Sequence, residues 1–389
     1  MIPEHFFDAQ TVCPPLELIH NGRVAVNVNG TITSISSCAQ QAAYPVNHLL
    51  IPGLIDIHVH GGYGVNFGDG NLALELEKYS SFAASHGVTG FLLSVTGPDS
   101  GFITQQINAY ATIFDNTPEW PGAIPLGLHL EGPFLNPEKH GAFNPDWIHN
   151  PGKAEIDAYL QAGNGWIKQV SMAPELPWAE AAAQMLVDAG VVVSLGHSNT
   201  TYEKACAALE NNFSHVTHTF NAQSPFNHRE PGVVGAVLSS DSATAELIGD
   251  GIHVHPAAMK ILFRCLGPER IVLITDAMSG AGLPDGVYEL LNQTVTVING
   301  KATLPDGTIG GSTGTLDGCL RNLVNLVGVS LPDAVRMASF NPAKVIGEDE
   351  RMGSIAVGKE ANLVLLDEAL IVKQTIVKGK TVFAGNGGK

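Results

Sequence analysis

LLIPGLIDIHVH, residues 49–60, is a nearly continuous apolar run that ends in two histidines two positions apart. Short apolar runs of this kind are typical of buried parallel strands. Seven more follow along the chain, at TGFLLSV (89–95), AIPLGLHLEG (123–132), IKQVSMA (167–173), VVVSLGHS (191–198), FSHVTHTFNA (213–222), ATAELIGDGIHVH (243–255) and RIVLITDA (270–277). We therefore interpret residues 49–60 as the first of eight strands.

Helix-like segments alternate with these runs, at residues 72–87, 178–190, 201–212 and 256–267 among others. Gly87, Gly190 and Gly267 stand where a helix needs a C-terminal cap. Alternating strands and helices pack with the strands parallel and the helices outside. Eight such units predict a (β/α)8 barrel over residues 49–346.

The two ends of the chain have a different pattern, with short alternating runs separated by Gly and Asn. This pattern is typical of antiparallel strands and turns. We expect residues 1–48 and 347–389 to form one small β-sandwich domain beside the barrel. The stretch 280–312, rich in Gly, Pro and Asp, is expected to form a loop and hairpin that covers the barrel mouth.

Composition excludes several classes of protein. The chain has 389 residues, 44% of them hydrophobic, and a net charge of −17, which argues against a nucleic-acid binder. Its five cysteines form no C-x-x-C pair, so neither a disulfide framework nor a thiolate zinc site is expected. Neither a secretory signal nor an apolar stretch long enough for a membrane span is recognisable. We expect a soluble, cytoplasmic protein.

Six polar side chains stand at the carboxyl ends of five predicted strands: His58, His60, Glu131, His197, His218 and Asp276. In a barrel, those strand ends meet at the active-site mouth. One H-x-H pair is weak evidence alone, because core histidines bonded to carbonyls explain it as well, and a lone Glu131 fits a surface salt bridge. Together the six residues predict a site for Zn²⁺, Fe²⁺, Mn²⁺ or Co²⁺.

Three neighbours of these residues receive other roles. Asp56 lies one pleat before His58, where it is expected to orient a ligand histidine. His129 and His215 are interpreted as packed or structural histidines.

A divalent ion lowers the pKa of bound water toward about 7, which gives a hydroxide nucleophile. Asp276 is then the candidate catalytic acid and base for amide hydrolysis.

A second group of residues suggests an anion site. The loop 221–232, NAQSPFNHREPG, follows the His218 strand and contains Arg229 in a chain poor in arginine. We expect Asn221, the backbone N–H of Ala222, Arg229 and His253 to hold a phosphate. The alternative for Arg229 is a local salt bridge. His140 and Phe143 lie in a loop over the mouth and are candidates for substrate contacts.

Several of these motifs resemble one family. PGLIDIHVHGGYG, HLEGPFLNPEKHGAF, LGHS, HTFNAQSPFNHREPG, DGIHVHP and ITDAMSGAG are similar to the N-acetylglucosamine-6-phosphate deacetylases of the amidohydrolase superfamily, and GSTGTLDGCLRNLV, ASFNPAKVIG and GSIAVGKEANLVLLD extend the similarity. The resemblance implies a homodimeric metallohydrolase of amino sugar metabolism. It would hydrolyse N-acetylglucosamine 6-phosphate to glucosamine 6-phosphate and acetate.

The resemblance also implies roles for individual residues. Glu131, His197 and His218 match metal ligands found throughout the family, and His58 and His60 match a pair found in members that hold a second metal. We therefore expect one or two ions per subunit, with Zn²⁺ favoured, bridged by Glu131 where two are bound. Asn221, Ala222, Arg229 and His253 match phosphate- and sugar-contacting positions. The family's matching arginine reaches into the neighbouring subunit's site.

One position departs from the family pattern. Members often carry a sugar-contacting histidine where this chain has Phe143. N-acetylgalactosamine 6-phosphate is therefore an alternative substrate. Two further alternatives are an amidohydrolase acting on a cyclic amide, which often has a metal-bridging lysine that this chain lacks at those strand ends, and a non-catalytic scaffold.

Overall fold

The computed structural model describes residues 5–13, 18–37, 48–68, 70–117 and 119–385. Its strands, in chain order, are β1 (His5–Val12), β2 (Ile19–Val26), β3 (Ile32–Ser37), β4 (Leu49–Pro52), β5 (Leu54–Asp56), β6 (Gly61–Gly62), β7 (Val65–Asn66), β8 (Val88–Val95), β9 (Ile124–Glu131), β10 (Ile167–Met172), β11 (Val192–Leu195), β12 (Phe213–Val216), β13 (Thr244–Ile248), β14 (Ile271–Ile274), β15 (Gly286–Leu290), β16 (Gln293–Ile298), β17 (Lys301–Thr303), β18 (Leu363–Leu366), β19 (Val372–Val377) and β20 (Lys380–Ala384).

The helices connect these strands: α1 (Leu72–Ser85), α2 (Ser100–Asn116), α3 (Lys153–Gly163), α4 (Ala179–Asp188), α5 (Tyr202–Leu209), α6 (Gly232–Ser239), α7 (Pro256–Leu266), α8 (Leu316–Asn322), α9 (Leu331–Ala338) and α10 (Phe340–Val345). The predicted segments 72–87, 178–190, 201–212 and 256–267 correspond to α1, α4, α5 and α7. Gly87 and Gly190 follow α1 and α4 with φ of 78° and 77°. Glycine adopts this left-handed conformation without steric cost, which explains these helix ends.

Eight parallel strands form the barrel, in the order β5, β8, β9, β10, β11, β12, β13 and β14. The barrel closes beyond the ends of β14 and β5, where Val59 bridges Ala277. The backbone N–H of Asp276 donates to His58 O at 3.0 Å, and that of His60 donates to Ala277 O at 2.8 Å. The predicted (β/α)8 barrel is confirmed, and the closing seam carries three of the predicted site residues.

The first apolar run divides into two strands, so the prediction of one strand ending at His60 is wrong. β4 joins the terminal sheet by pairing with β1 and β18, and only β5 belongs to the barrel. Both strands are fully or mostly buried, so they have the same apolar character in sequence. Gly53 separates them, and a Cβ there would lie 2.1 Å from Thr89 Oγ1. Only glycine allows this close approach.

Both termini contribute to a seven-stranded sheet of order β20, β19, β18, β4, β1, β2 and β3. Its core is a separate cluster of buried apolar side chains: Ala9, Val12, Val24, Val26, Ile32, Leu50, Ile355, Ala361, Leu363, Leu365 and Ile376. The predicted β domain from both ends of the chain is confirmed. Its exact limits, 1–48 and 347–389, stay a prediction, and residues 1–4, 14–17, 38–47 and 386–389 lie outside the described residues.

The segment 280–312 forms a small antiparallel sheet of β15, β16 and β17. It packs on a core that includes Met278, Leu290 and Val295. Leu290, Leu291 and Ile309 line the pocket at the barrel mouth. The expected loop and hairpin over the mouth is therefore present. Among the helices in the described part of the chain, none has the length and apolar character needed to cross a bilayer.

Candidate metal centre

A pocket of about 270 Å³ opens at the carboxyl ends of the barrel strands. Its wall contains five of the six predicted metal ligands together with parts of the loop after β9 and of the segment 280–312. The lining residues that concern the chemistry are His60, Glu131, His197, His218, Asn221, Ala222, His253 and Asp276. Side chains from distant parts of the sequence therefore meet at this mouth, as predicted.

Glu131, the last residue of β9, lies between two pairs of imidazoles. Its Oε2 is 3.3 Å from His58 Nε2 and 2.9 Å from His60 Nε2. Its Oε1 is 3.3 Å from His197 Nε2 and 3.0 Å from His218 Nε2. In each group the donor atoms lie within 4.8 Å of one another. One carboxylate thus serves two groups of nitrogen and oxygen donors.

Asp276 lies close to His58 and His60. Its Oδ1 is 3.4 Å from His60 Nε2 and 3.6 Å from His58 Nε2. Asp276, His197 and His218 each have a positive φ, of 51°, 47° and 26°. Such conformations are uncommon for residues other than glycine and concentrate at functional sites. The backbone is strained at three positions where a side chain is turned into the same pocket.

The carboxylates of Glu131 and Glu246 are buried and that of Asp276 is 13% exposed, and imidazoles compensate their charge. Burial opposes ionisation of Glu131, but His58, His197 and His218 outweigh it and hold its pKa well below the ordinary value. Burial likewise opposes protonation of His58, but Glu131, Glu246 and Asp276 outweigh it and raise its pKa well above the ordinary value. Burial also opposes protonation of His60, but Asp276 and Glu131 outweigh it and raise its pKa to about 9. The carboxylates therefore require positive charge among them.

The residues fit a divalent ion. His58 Nε2 is buried and has no hydrogen-bond partner, although two carboxylate oxygens, of Glu131 and Asp276, lie 3.3 and 3.6 Å from it. An unsatisfied buried nitrogen is costly unless a ligand completes it. The donors are imidazole nitrogens and carboxylate oxygens, which suit borderline divalent metals. His197 is oriented in the usual way for a ligand, because its Nδ1 donates to Lys139 O at 2.7 Å.

The predicted anion-binding residues divide into two sets. Asn221, Ala222 and His253 line the pocket, and His253 is held by Asp250 Oδ2, 2.7 Å from its Nδ1. Arg229 lies on an exposed loop and is not among the described residues that line the pocket. Its backbone N–H donates to Asn227 Oδ1. Within one chain, the structure therefore brings part of the predicted anion site together and leaves its arginine outside.

The loop after β9 forms one wall of the pocket. Phe143 is buried and meets the ring of His197 edge to face, with centroids 5.1 Å apart. His140 does not line the pocket in the described part of the chain, and its Nδ1 bonds Phe143 O at 3.0 Å. Gly141 has a φ of 60°, and a Cβ there would lie 3.1 Å from His197 Cε1. The loop backbone thus packs directly on a candidate ligand.

Comparison with known proteins agrees with this geometry. The profile of the amidohydrolase family matches residues 49–382, most of the chain. The chain belongs to the amidohydrolase family.

Relatives of this amidohydrolase have been characterised in several organisms. It is 38% identical over 374 residues to the N-acetylglucosamine-6-phosphate deacetylase of Bacillus subtilis (strain 168), covering 94% of each chain. It is also 38% identical over 362 residues to the N-acetylgalactosamine-6-phosphate deacetylase of Escherichia coli O157:H7, covering 93% of this chain and 94% of the relative. It also superposes, with a TM-score of 0.90 at 33% identity, on a mutant N-acetyl-D-glucosamine-6-phosphate deacetylase from Mycobacterium smegmatis that was solved in complex with N-acetyl-D-glucosamine-6-phosphate. The match covers 98% of this chain and 100% of that one.

The amidohydrolase family uses a divalent metal, and this chain has two His/Glu groups able to bind one. Sequence reasoning missed Glu246, which contacts one histidine of each group. Its Oε2 accepts from His58 Nδ1 at 2.9 Å and from the backbone N–H of His218 at 2.9 Å. The available signal was a carboxylate inside the apolar run ATAELIG, since charged residues in buried strands need partners.

Two other predictions, on Asp56 and His129, concern the interior of this amidohydrolase. Asp56 accepts from the backbone N–H of His58 and from Thr275 Oγ1, so it orients backbone rather than the imidazole. Burial raises the pKa of Asp56 to about 7. His129 lies between Ser94 Oγ and Ser171 Oγ, at 3.0 and 2.8 Å, and burial lowers its pKa to about 3. It is a packed, neutral histidine, as predicted.

Proposed function

We propose that this amidohydrolase hydrolyses the acetamide of N-acetylglucosamine 6-phosphate to glucosamine 6-phosphate and acetate. The observation that carries the proposal is Glu131, whose two oxygens each approach a pair of imidazoles with Asp276 alongside. The names of relatives that match over most of the chain supply the substrate. The combination of donors and proton-transfer group is suited to amide hydrolysis.

Two groups of residues would hold the metal. His58, His60 and Asp276 surround one oxygen of Glu131, and His197 and His218 surround the other. We propose one or two divalent ions per subunit; the N/O donor set suits Zn²⁺, Fe²⁺, Mn²⁺ or Co²⁺, and we favour Zn²⁺. When bound, such an ion polarises a carbonyl oxygen and acidifies water.

Asp276 is the proposed acid and base. Its Oδ1 accepts a proton from the attacking water as the carbon–oxygen bond forms. It then delivers that proton to the amide nitrogen as the carbon–nitrogen bond breaks, so that acetate and an amine leave. Burial opposes ionisation of Asp276, but His58 and His60 outweigh it and lower its pKa. Asp276 is therefore available as a base.

The phosphate is proposed to lie beside Asn221, Ala222 and His253 in the pocket wall. Arg229 is exposed and outside that wall, which supports the homodimer in which Arg229 of the partner subunit completes the site. His140 remains a proposed substrate contact, in the loop where its Nδ1 bonds Phe143 O. The four cysteines in the described part of the chain form no disulfide, which supports a cytoplasmic location.

N-acetylgalactosamine 6-phosphate is the second candidate substrate. Phe143 occupies the pocket wall where the family pattern often has a sugar-contacting histidine. The relative from Escherichia coli O157:H7 named for the galactosamine substrate is as identical to this chain as the one from Bacillus subtilis. A histidine donor replaced by an apolar ring would change recognition of a sugar hydroxyl.

The deciding experiment measures acetate release from both 6-phosphorylated epimers and from unphosphorylated N-acetylglucosamine, with metal quantified in the same preparation. We expect kcat/KM to be highest for N-acetylglucosamine 6-phosphate. A preference for the other epimer would establish the second candidate. Metal-loaded protein that cleaves neither epimer would refute both and favour the cyclic-amide alternative.

The role of Arg229 is tested by Arg229→Ala. Loss of a charged hydrogen bond, worth about 1.5–3 kcal/mol, should raise KM for the phosphorylated substrate about 10–100-fold. Arg264→Ala, which removes an exposed arginine of α7, is the matched control and should leave KM unchanged. An unchanged KM in Arg229→Ala would remove Arg229 from the phosphate site.

A further inference from the structure

Glu246 is a fully buried carboxylate on β13, in the barrel interior. Its Oε1 accepts from Gln169 Nε2 at 2.8 Å and lies 3.3 Å from His215 Nε2. Its Oε2 accepts from His58 Nδ1 and from the backbone N–H of His218, both at 2.9 Å. Each oxygen therefore has two partners, and the carboxylate is fixed in orientation.

These contacts determine how His58 presents its ring. Only one nitrogen of a neutral imidazole carries a proton, and the other has a lone pair. Because a carboxylate accepts from Nδ1, the neutral ring that binds an ion keeps its proton on Nδ1 and has its lone pair on Nε2. Nε2 is the buried nitrogen without a hydrogen-bond partner, 3.3 Å from Glu131 Oε2. The carboxylate thus selects the form of His58 that can bind a metal.

The same oxygen of Glu246 reaches the other donor group. It holds the backbone N–H of His218, whose φ of 26° turns the imidazole toward Glu131 Oε1. The contact with His58 concerns its imidazole, whereas the contact with His218 concerns only its backbone. Both contacts use Oε2, so an amide oxygen in that place can keep both hydrogen bonds but carries no full charge. The imidazole of His58 then loses the charge-assisted bond that holds its proton on Nδ1, whereas the backbone N–H of His218 needs only a neutral acceptor.

We propose that Glu246 is a positioning residue of the metal centre, which fixes the tautomer of His58 and so controls affinity for the ion on the His58 side. The inference rests on the proposed function, because it needs His58 to be a ligand. Burying a carboxylate is costly unless it is paired and hydrogen-bonded, as Glu246 is. Partners of this kind typically change metal affinity about 10–100-fold.

The test uses full-length protein stripped with a chelator and titrated with Zn²⁺ in competition with a chromophoric chelator. His58→Ala and His218→Ala first assign the two ions to their groups. In Glu246→Gln we expect the ion on the His58 side to bind about 10–100-fold more weakly. The ion at His197 and His218 should change by less than threefold. Metal analysis after dialysis gives the matching loss in stoichiometry.

Asp317→Asn is the matched control. Asp317 is also a buried carboxylate that accepts from a histidine Nδ1, that of His86 at 3.0 Å, and it lies outside the pocket lining. This variant should retain both affinities. If Glu246→Gln does not fold, as judged by its thermal transition, Glu246→Asp replaces it, because the shorter side chain draws the carboxylate away from Nδ1.

The outcomes distinguish failure of the positioning role of Glu246 from failure of the proposed metal-ligand set. Unchanged binding on the His58 side in the Glu246 variant overturns the positioning role. Equal weakening of both ions also overturns it, because removal of a buried charge alone would have that effect. If His58→Ala itself leaves metal binding unchanged, the metal set of the proposed function is wrong.

Discussion

Two histidine–carboxylate pairs of this chain share one local chemistry and differ in what surrounds them. Glu246 accepts from His58 Nδ1 at 2.9 Å, and Asp317 accepts from His86 Nδ1 at 3.0 Å. The His58 side chain is 0% exposed, whereas that of His86 is 29% exposed. A carboxylate that accepts from Nδ1 and so fixes the imidazole is therefore common to both pairs. This contact alone does not define a functional site.

The difference lies at the other ring nitrogen and in the second partner of each carboxylate. His58 Nε2 faces Glu131 and Asp276, two further carboxylates, and has no hydrogen-bond partner. Asp317 instead pairs with the guanidinium of Arg321 at 2.7 Å. Surplus negative charge around the first pair suits a bound cation, whereas the charge of the second pair is balanced within the protein. The pair that we propose to be functional therefore differs from the structural pair in its charge balance.

The largest effect is expected from Asp276→Asn, compared with Asp317→Asn. The amide cannot accept the proton from water, so kcat should fall about 10²–10⁴-fold, the usual contribution of general acid–base catalysis. Metal content should remain close to that of the wild type. Asp317→Asn should leave kcat within about twofold. Steady-state kinetics with metal analysis checks this, and substantial activity in Asp276→Asn would show that another group moves the proton.

The sequence predicted the residues at the strand ends because parallel strands bring their carboxyl ends to one mouth. Glu131, His197 and Asp276 are far apart in the chain and meet for that reason. The left-handed backbone at His197, His218 and Asp276 was not predictable, because it depends on the loops that follow. The exposed position of Arg229, outside the pocket wall, was equally unpredictable, since the spacing of residues along the chain does not show which way a loop turns.

Glu246 was missed for a different physical reason. It lies inside the barrel, where its partners Gln169 and His215 come from two other strands and His58 from the segment that follows β5. Register between those strands sets the contacts, and a single apolar run contains no information on it. The division of residues 49–60 into β4 and β5 was missed because both parts are buried, which makes their patterns alike.

Metal removal is expected to distinguish His58 from His86, with a smaller effect than that of Asp276→Asn. An ion present at about 100 times its Kd stabilises the folded chain by about 2.7 kcal/mol per site. Chelator-treated wild-type protein should therefore show a higher Tm when Zn²⁺ is added. His86→Ala should keep the whole shift, and His58→Ala should lose one site's share. Differential scanning fluorimetry measures both, and equal shifts in the two variants would contradict the assignment of His58 as a ligand.

The smallest effect concerns the structural pair and depends on pH. Burial opposes ionisation of Asp317, but His86 and Arg321 outweigh it and lower its pKa to about 2, from an ordinary value of 3.8. A lowered folded-state pKa stabilises the fold above pH 3.8, by about 2 kcal/mol at 1.36 kcal/mol per unit, and that stability is lost as the pH falls toward 2. Asp317→Asn should therefore unfold more easily in urea at pH 7, with a difference from wild type that shrinks below about pH 4. Both proteins are chelator-treated, so that acid release of metal does not contribute. A difference that stays constant with pH would mean that Asp317 stabilises the fold through packing and neutral hydrogen bonds, and the contrast with the His58 pair would then rest on geometry alone.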